Sequence, residues 1–138
     1  MSWVEATYKN QLMKIIIADD FYSNRLLILE ILKDMGHELI EAENGQQAFD
    51  ALEKHNDVDL VLMDIEMPVM SGLEAMRLIR SKLPYPKNSV PIIALTAHNS
   101  MILMDEPNIE GFNGMLIKPY SISRISEILD TFKRKKEV

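Results

Sequence analysis

Leu60-Val61-Leu62-Met63-Asp64-Ile65-Glu66-Met67-Pro68-Val69-Met70-Ser71-Gly72 is the stretch on which the fold turns. With Asp59 before it, its first part completes a short run, 59–63, that is apolar after Asp59 without alternation, as expected of a strand buried on both faces of a parallel sheet. The run stops on a carboxylate, Asp64, followed by Ile65-Glu66-Met67-Pro68. A charge placed directly after a buried strand asks for a reason, because α/β proteins put their chemistry at the carboxyl ends of strands.

Runs of the same kind lie at 13–18, 90–95 and 114–117, with a weaker one at 38–42. Segments of helical period separate them. Leu26, Leu27, Glu30, Ile31 and Met35, with Leu29 and Leu32 beside them, recur three and four apart, with Ser23 and Asn24 as start signals and Gly36 as a stop. A second helix is predicted from Asn44 to His55, facing Ala48, Ala51 and Leu52 inward. A third runs from Ser71 to just before Pro84 through Leu73, Met76, Leu78 and Ile79. The last covers 121–134 and carries Ile122, Ile125, Ile128, Leu129 and Phe132. Between the fourth and fifth strands, His98 to Gly111 should hold one more helix, the fourth, cut short near Asp105 or Glu106 by Pro107. Its Met101-Ile102-Leu103-Met104 run either packs on the sheet or offers a partner or dimer face. Five strands alternating with five helices predict an α/β fold, a doubly wound parallel sheet covered on both faces.

Composition narrows the function. The chain has 138 residues and a net charge of −6, which argues against a nucleic-acid surface. The basic cluster Lys133-Arg134-Lys135-Lys136 reads as a solvated helix end that complements the helix dipole. No apolar run is long enough to span a bilayer, and no secretory signal pattern opens the chain. The absence of cysteine rules out disulfides and thiolate metal sites and fits a reducing cytoplasm. One domain is expected over 12–136, preceded by an N-terminal extension over 1–11 and followed by no separate output domain.

The polar residues at the strand ends form a set: Asp19 and Asp20 after the first strand, Asp64 after the third, Thr96 after the fourth and Lys118 after the fifth. Taken singly, each has a plain structural explanation, such as a loop or a helix cap. Together they converge on one edge of a parallel sheet. Three carboxylates at one rim repel unless a proton or a cation neutralises them. Oxygen donors alone favour a hard ion, Mg²⁺ or Mn²⁺. A divalent ion, an ammonium and a hydroxyl around a carboxylate are what a transferred phosphoryl group requires at its oxygens.

Ile17-Ala18-Asp19-Asp20, the stretch from Leu62 to Gly72, Ile93-Ala94-Leu95-Thr96-Ala97 and Lys118-Pro119 together resemble the receiver domain of two-component response regulators, of the chemotaxis-regulator kind, from about Lys14 to Phe132. The resemblance implies the flavodoxin-like strand order 2-1-3-4-5. It implies that Asp64 is the phosphoacceptor, and that Asp19, Asp20, Asp64 and the backbone carbonyl of Glu66 bind Mg²⁺ or Mn²⁺. Lys118 would pair with the phosphoryl oxygens, Thr96 would swing inward to bond one, and Pro119 would follow a cis peptide. Glu66 and His98 would tune the phosphoryl lifetime. Met115 stands where the family usually has an aromatic switch residue. The implied partners are a sensor histidine kinase or a histidine phosphotransfer protein. A homodimer or a downstream protein would use the region of the fourth helix, fifth strand and fifth helix. The domain would be no enzyme beyond its own phosphorylation and dephosphorylation, and would be either free-standing or part of a hybrid kinase. Two other readings compete: a phosphohydrolase using an aspartyl-phosphate, which would put its acid pair on the first strand beneath a cap, and a degenerate receiver that only binds partners.

Overall fold

The structure, a computed structural model, describes residues 12–97 and 110–133. Five strands form one parallel sheet in the order β2-β1-β3-β4-β5: β1 is Lys14–Ala18, β2 Glu38–Ala42, β3 Leu60–Asp64, β4 Ile92–Thr96 and β5 Gly114–Ile117. The described residues contain four α-helices: α1 (Tyr22–Asp34), α2 (Gly45–Lys54), α3 (Gly72–Lys82) and α4 (Ile122–Lys133), with a 3₁₀ turn at Lys87–Ser89. The helix anticipated between β4 and β5, with Pro107 and the Met101–Met104 run, lies almost wholly outside the described residues, and so does the 1–11 extension.

Alternation along each strand splits the core in two. Ile16, Ala18, Val61, Met63 and Ile92 meet Ala48 and Leu52 of α2 and Ala75, Met76 and Ile79 of α3. On the opposite face Ile15, Ile17, Leu60, Leu62, Ile93, Leu95 and Leu116 meet Ile28 and Leu32 of α1 and Ile125 and Leu129 of α4. Full burial of each such side chain stabilises by roughly 1.5–3 kcal/mol. That both faces are covered is why these strands carry unbroken apolar runs rather than alternating ones.

Strand ends shift by a residue or two from the expected bounds. Met13 gives its N–H to His37 Nδ1 at 3.0 Å, not to the ladder. β4 begins after Pro91, whose carbonyl still accepts from Val61 at 2.9 Å although its nitrogen has no hydrogen to give. α2 and α3 start where their caps are: Asn44 accepts from the Gln47 N–H and Ser71 from the Glu74 N–H. α1 differs more. Ser23 and Asn24 lie inside the helix, which Phe21 precedes without a side-chain cap, while Asp19 Oδ1 accepts from the Phe21 N–H at 3.0 Å. Its buried face is Arg25, Ile28 and Leu32, whereas Leu26 and Leu27 are 37% and 47% exposed. Leucine and isoleucine surround so much of this helix that periodicity alone leaves its rotation ambiguous.

Candidate functional site

Register explains the convergence at the carboxyl edge of the sheet. Ala18 pairs with Met63, Asp64 with Leu95 and Thr96 with Ile117. The residues one step beyond β1 and at the end of β3, and the residue that follows β5, therefore reach the same rim. Asp19 and Asp64 extend the side of the sheet formed by Ile17 and Leu62. Both are buried, at 0% and 6% exposure, and Asp20 is half-buried. One carboxylate oxygen from each of Asp19, Asp20 and Asp64 can be chosen so that all three lie within 4.8 Å of one another.

Lys118, just past β5, is the cation facing this group. Its Nζ donates to Asp64 Oδ2 at 2.9 Å and lies 3.5 Å from Asp19 Oδ2, the latter a charge contact rather than a hydrogen bond. Burial pulls the Lys118 ammonium down, but the bond to Asp64 and the charges of Asp64 and Asp19 outweigh it and leave its pKa raised. Burial pushes the Asp19 carboxyl up from its ordinary value, and the Asp64 charge adds to that. The Phe21 N–H and Lys118 pull the other way without cancelling it. Asp64 Oδ1 accepts from the Glu66 N–H at 3.0 Å. Glu66 is exposed and, with Asp20, Ile65, Met67, Pro68, Ser71 and Leu73, lines an open groove of about 460 Å³.

Thr96 is buried, and its hydroxyl donates to the Ala97 carbonyl at 3.2 Å, so it is not engaged with Asp64. The Lys118–Pro119 peptide is cis, as is Tyr85–Pro86. Met115 is half-buried against Ile65 and Ala94, beside Phe112. His98 lies outside the described residues. Asp19, Asp20, Asp64 and Lys118 are thus brought together, with Thr96 at the rim.

Two further contributors were given no site role from the sequence. Arg25 is 6% exposed; its guanidinium donates to the Asp19 carbonyl at 2.7 Å and to Glu41 at 2.9 Å, and stacks over the Tyr22 ring 5.4 Å from its centroid. It holds the main chain that carries the first acid pair. The available signal was spacing, since Arg25 lies three and seven residues before the buried Ile28 and Leu32. Gly72 is the second: its N–H donates to the Ile65 carbonyl at 3.0 Å, seating the start of α3 against the end of β3.

The donor set suits a hard divalent cation. Asp19 Oδ2 is buried without a hydrogen-bond partner, the oxygen ligands are close together, and no described nitrogen or sulfur ligand joins them. The electrostatics give a test in the absence of metal. A carboxyl whose folded-state pKa is raised holds its proton more tightly in the folded protein, so stability falls as pH rises from the ordinary value of 3.8 through the folded one. Asp19→Asn keeps the acceptor for Phe21 and removes that penalty. In EDTA at pH 7 the variant should be more stable than the wild type by on the order of 1 kcal/mol, the scale of most single substitutions. The difference should shrink below pH 4, and Mg²⁺ should reverse the order. Equal urea midpoints across the pH range would show that the acid cluster is not strained.

Comparison with known proteins follows the same lines. Residues 15–130 match the response regulator receiver domain family. The chain is 32% identical over 119 residues to a chemotaxis protein CheY homolog of Campylobacter jejuni, covering 86% of this chain and 90% of that protein. It is 40% identical over 106 residues to the CAI-1 autoinducer sensor kinase/phosphatase CqsS of Vibrio cholerae, covering 77% of this chain but only 15% of the kinase. Among solved structures, the receiver domain of sensor histidine kinase PA1611 from Pseudomonas aeruginosa, which has a magnesium ion coordinated in its active site cleft, superposes with a TM-score of 0.80 at 29% identity over 89% of this chain and 98% of that one. The receiver domain of Saccharomyces cerevisiae Ssk1, solved with the histidine phosphotransfer protein Ypd1, gives 0.78 at 26% identity, covering 92% of each chain.

Proposed function

This chain belongs to the response regulator receiver domain family of two-component and phosphorelay signalling, and from that premise we propose that Asp64 takes a phosphoryl group from a phosphohistidine on a sensor histidine kinase or a phosphotransfer protein. The observation that carries the proposal is the seat of Asp64, buried at the end of β3 with Lys118 Nζ at 2.9 Å and the Asp19–Asp20 pair beside it.

One carboxylate oxygen of Asp64 forms the new P–O bond as the P–N bond of a donor imidazole protonated on its other ring nitrogen breaks, so that the ring leaves as neutral imidazole. Lys118 is placed to exchange its Asp64 contact for a phosphoryl oxygen. Thr96 would turn its hydroxyl from the Ala97 carbonyl to bond another. Asp19, Asp20, Asp64 and the Glu66 carbonyl would hold Mg²⁺, which when bound screens the negative charge of the incoming group. Arg25 and the Phe21 N–H keep Asp19 in place from behind. In our reading the chain catalyses only its own phosphorylation and dephosphorylation. Phe21 and Tyr22 at the start of α1 and Ile122 at the start of α4 are each 62% exposed, on the side of the sheet that α1 and α4 share and at the acceptor's edge. They suit a phosphodonor's helix surface, and the Ssk1 receiver was solved with such a phosphotransfer partner.

The test is chemical. With Mg²⁺ and acetyl phosphate the protein should gain one phosphoryl group that survives acid and is released by hydroxylamine. A protein that stays unmodified even with a competent kinase would sink the proposal.

Met115 bears on the response. Methionine is slim and adaptable, and fills space without strongly favouring one packing. Driving a switch from 1:99 to 99:1 takes roughly 5.5 kcal/mol of differential stabilisation. With Met115 packed on the Ile65–Ala94 surface, phosphorylation should tighten partner binding only about tenfold, or ~1.4 kcal/mol. Met115→Tyr should widen that ratio. Calorimetric titration of the partner with and without beryllofluoride decides it; a wild-type ratio of about a hundredfold, ~2.8 kcal/mol, would refute the idea.

A further inference from the structure

Among the described residues, two buried side-chain atoms have no hydrogen-bond partner: Asp19 Oδ2 and Tyr120 Oη. One is an acceptor and the other a donor. A buried hydroxyl left unpaired is costly and calls for an explanation.

The fold puts the two on the same side of the sheet. Asp19 continues the face of Ile15 and Ile17, Asp64 that of Leu60 and Leu62, and Lys118 follows Leu116; the Tyr120 ring packs on the cluster these apolar residues form. Tyr120 therefore lies on the acid group's side of the sheet with its hydroxyl buried, two residues beyond the lysine that reaches Asp64 and Asp19. Burial pushes the phenol well above its ordinary value, and the charges of Asp19 and then Asp64 push it further, which agrees with that placement. The neutral phenol is thus a buried donor on the same side of the sheet as a carboxylate whose Oδ2 has only the 3.5 Å charge contact to Lys118.

We propose that Tyr120 is a positioning residue of the cation site, donating its hydroxyl to the Asp19 carboxylate from the interior, directly after a small ring rotation or across one buried water. A carboxylate oxygen has two lone pairs, so the inward one can take the phenol while the outward one faces the cation. Groups that hold a ligating side chain from behind fix its orientation, and their loss typically weakens metal binding 10–100-fold. The inference rests on the reading of the site as a Mg²⁺-dependent phosphoacceptor.

Tyr120→Phe keeps the ring in its cluster and removes only the hydroxyl. Calorimetric titration with Mg²⁺ should show affinity about tenfold weaker in the variant. The Mg²⁺ concentration giving half the maximal phosphorylation rate should rise by the same factor, while the rate at saturating Mg²⁺ stays unchanged. A hydroxyl that served stability alone would lower the unfolding midpoint and leave the Mg²⁺ dependence where it was. In wild-type protein, the Tyr120 hydroxyl resonance should shift as Mg²⁺ is added, a readout independent of whether the variant folds. Wild-type Mg²⁺ binding with an unmoved resonance, or with equal affinity in the folded variant, overturns the role of Tyr120 alone. A wild type that binds no Mg²⁺ overturns the reading of the site and this role with it.

Discussion

Asp64→Asn is expected to take up no phosphoryl group from acetyl phosphate or a kinase while keeping its fold. The substitution is nearly isosteric. Its side-chain oxygen can still accept from the Glu66 N–H, which bonds Asp64 Oδ1 at 3.0 Å in the wild type. What disappears is the nucleophile, since an amide oxygen does not displace imidazole or acetate from a phosphoryl group. The loss is therefore complete rather than partial. Lys118→Met provides the contrast. It keeps the nucleophile and removes the ammonium 2.9 Å from Asp64 Oδ2, so phosphorylation should slow, by the 10²–10³-fold typical of losing one preorganised electrostatic contact. Mass spectrometry of the intact protein after timed exposure to acetyl phosphate separates the two outcomes. Asp19 is fully buried and Asp20 half-buried, so any modification persisting in Asp64→Asn would be sought on Asp20 and would move the acceptor there.

The path from sequence to this site was legible where chemistry follows from position along a strand. Asp64, Thr96 and Lys118 each end or follow an apolar run, and parallel strands in register deliver them to one edge whatever the helices do. The strand order and parallel sense emerged as the resemblance implied. Legibility failed where a side chain works against its type. Arg25 is a charged residue on the buried face of α1, and its partner there is a main-chain carbonyl, which no residue pattern advertises. Leu26 and Leu27 are exposed because the buried face is occupied by Arg25, Ile28 and Leu32, a rotation that apolar periodicity left ambiguous. Tyr120 carries no mark in the sequence; its unpaired buried hydroxyl is a property of three-dimensional placement only. Val69, with φ of 67° and 83% exposure, is another case. A β-branched residue in the left-handed region is unusual, and only the backbone reveals it.

Gly72→Ala should damage both the fold and the chemistry, and Gly45→Ala the fold alone. A Cβ added at Gly72 would fall 2.0 Å from the carbonyl oxygen of Asp64, 2.9 Å from its carbonyl carbon and 3.0 Å from Ile65 Cα. All three are backbone atoms, so no side chain can swing aside. Relief requires the start of α3 to move off the end of β3, against the Gly72 N–H bond to Ile65, or requires Asp64 itself to shift. Overpacking in a close-packed core costs typically 1–3 kcal/mol, occasionally more. A backbone clash this short belongs at or beyond the top of that range, about 3 kcal/mol. A displacement of Asp64 by about 1 Å would also cost on the order of 10²-fold in phosphorylation rate, since in-line attack depends on position. Gly45 meets the same loop from α2. Its added Cβ would sit 2.6 Å from the carbonyl oxygens of Met70 and Ser71 and 3.0 Å from Ala75 Cβ, and its N–H bonds Met70 at 2.8 Å. These contacts lie beyond the turn and not on Asp64. Gly45→Ala should therefore lower the urea midpoint while the folded fraction is phosphorylated at nearly the wild-type rate. Rates measured at saturating Mg²⁺, and normalised to the folded fraction from circular dichroism, separate the two variants. If Gly72→Ala proved as fast as Gly45→Ala per folded molecule, the start of α3 would be shown not to fix the acceptor.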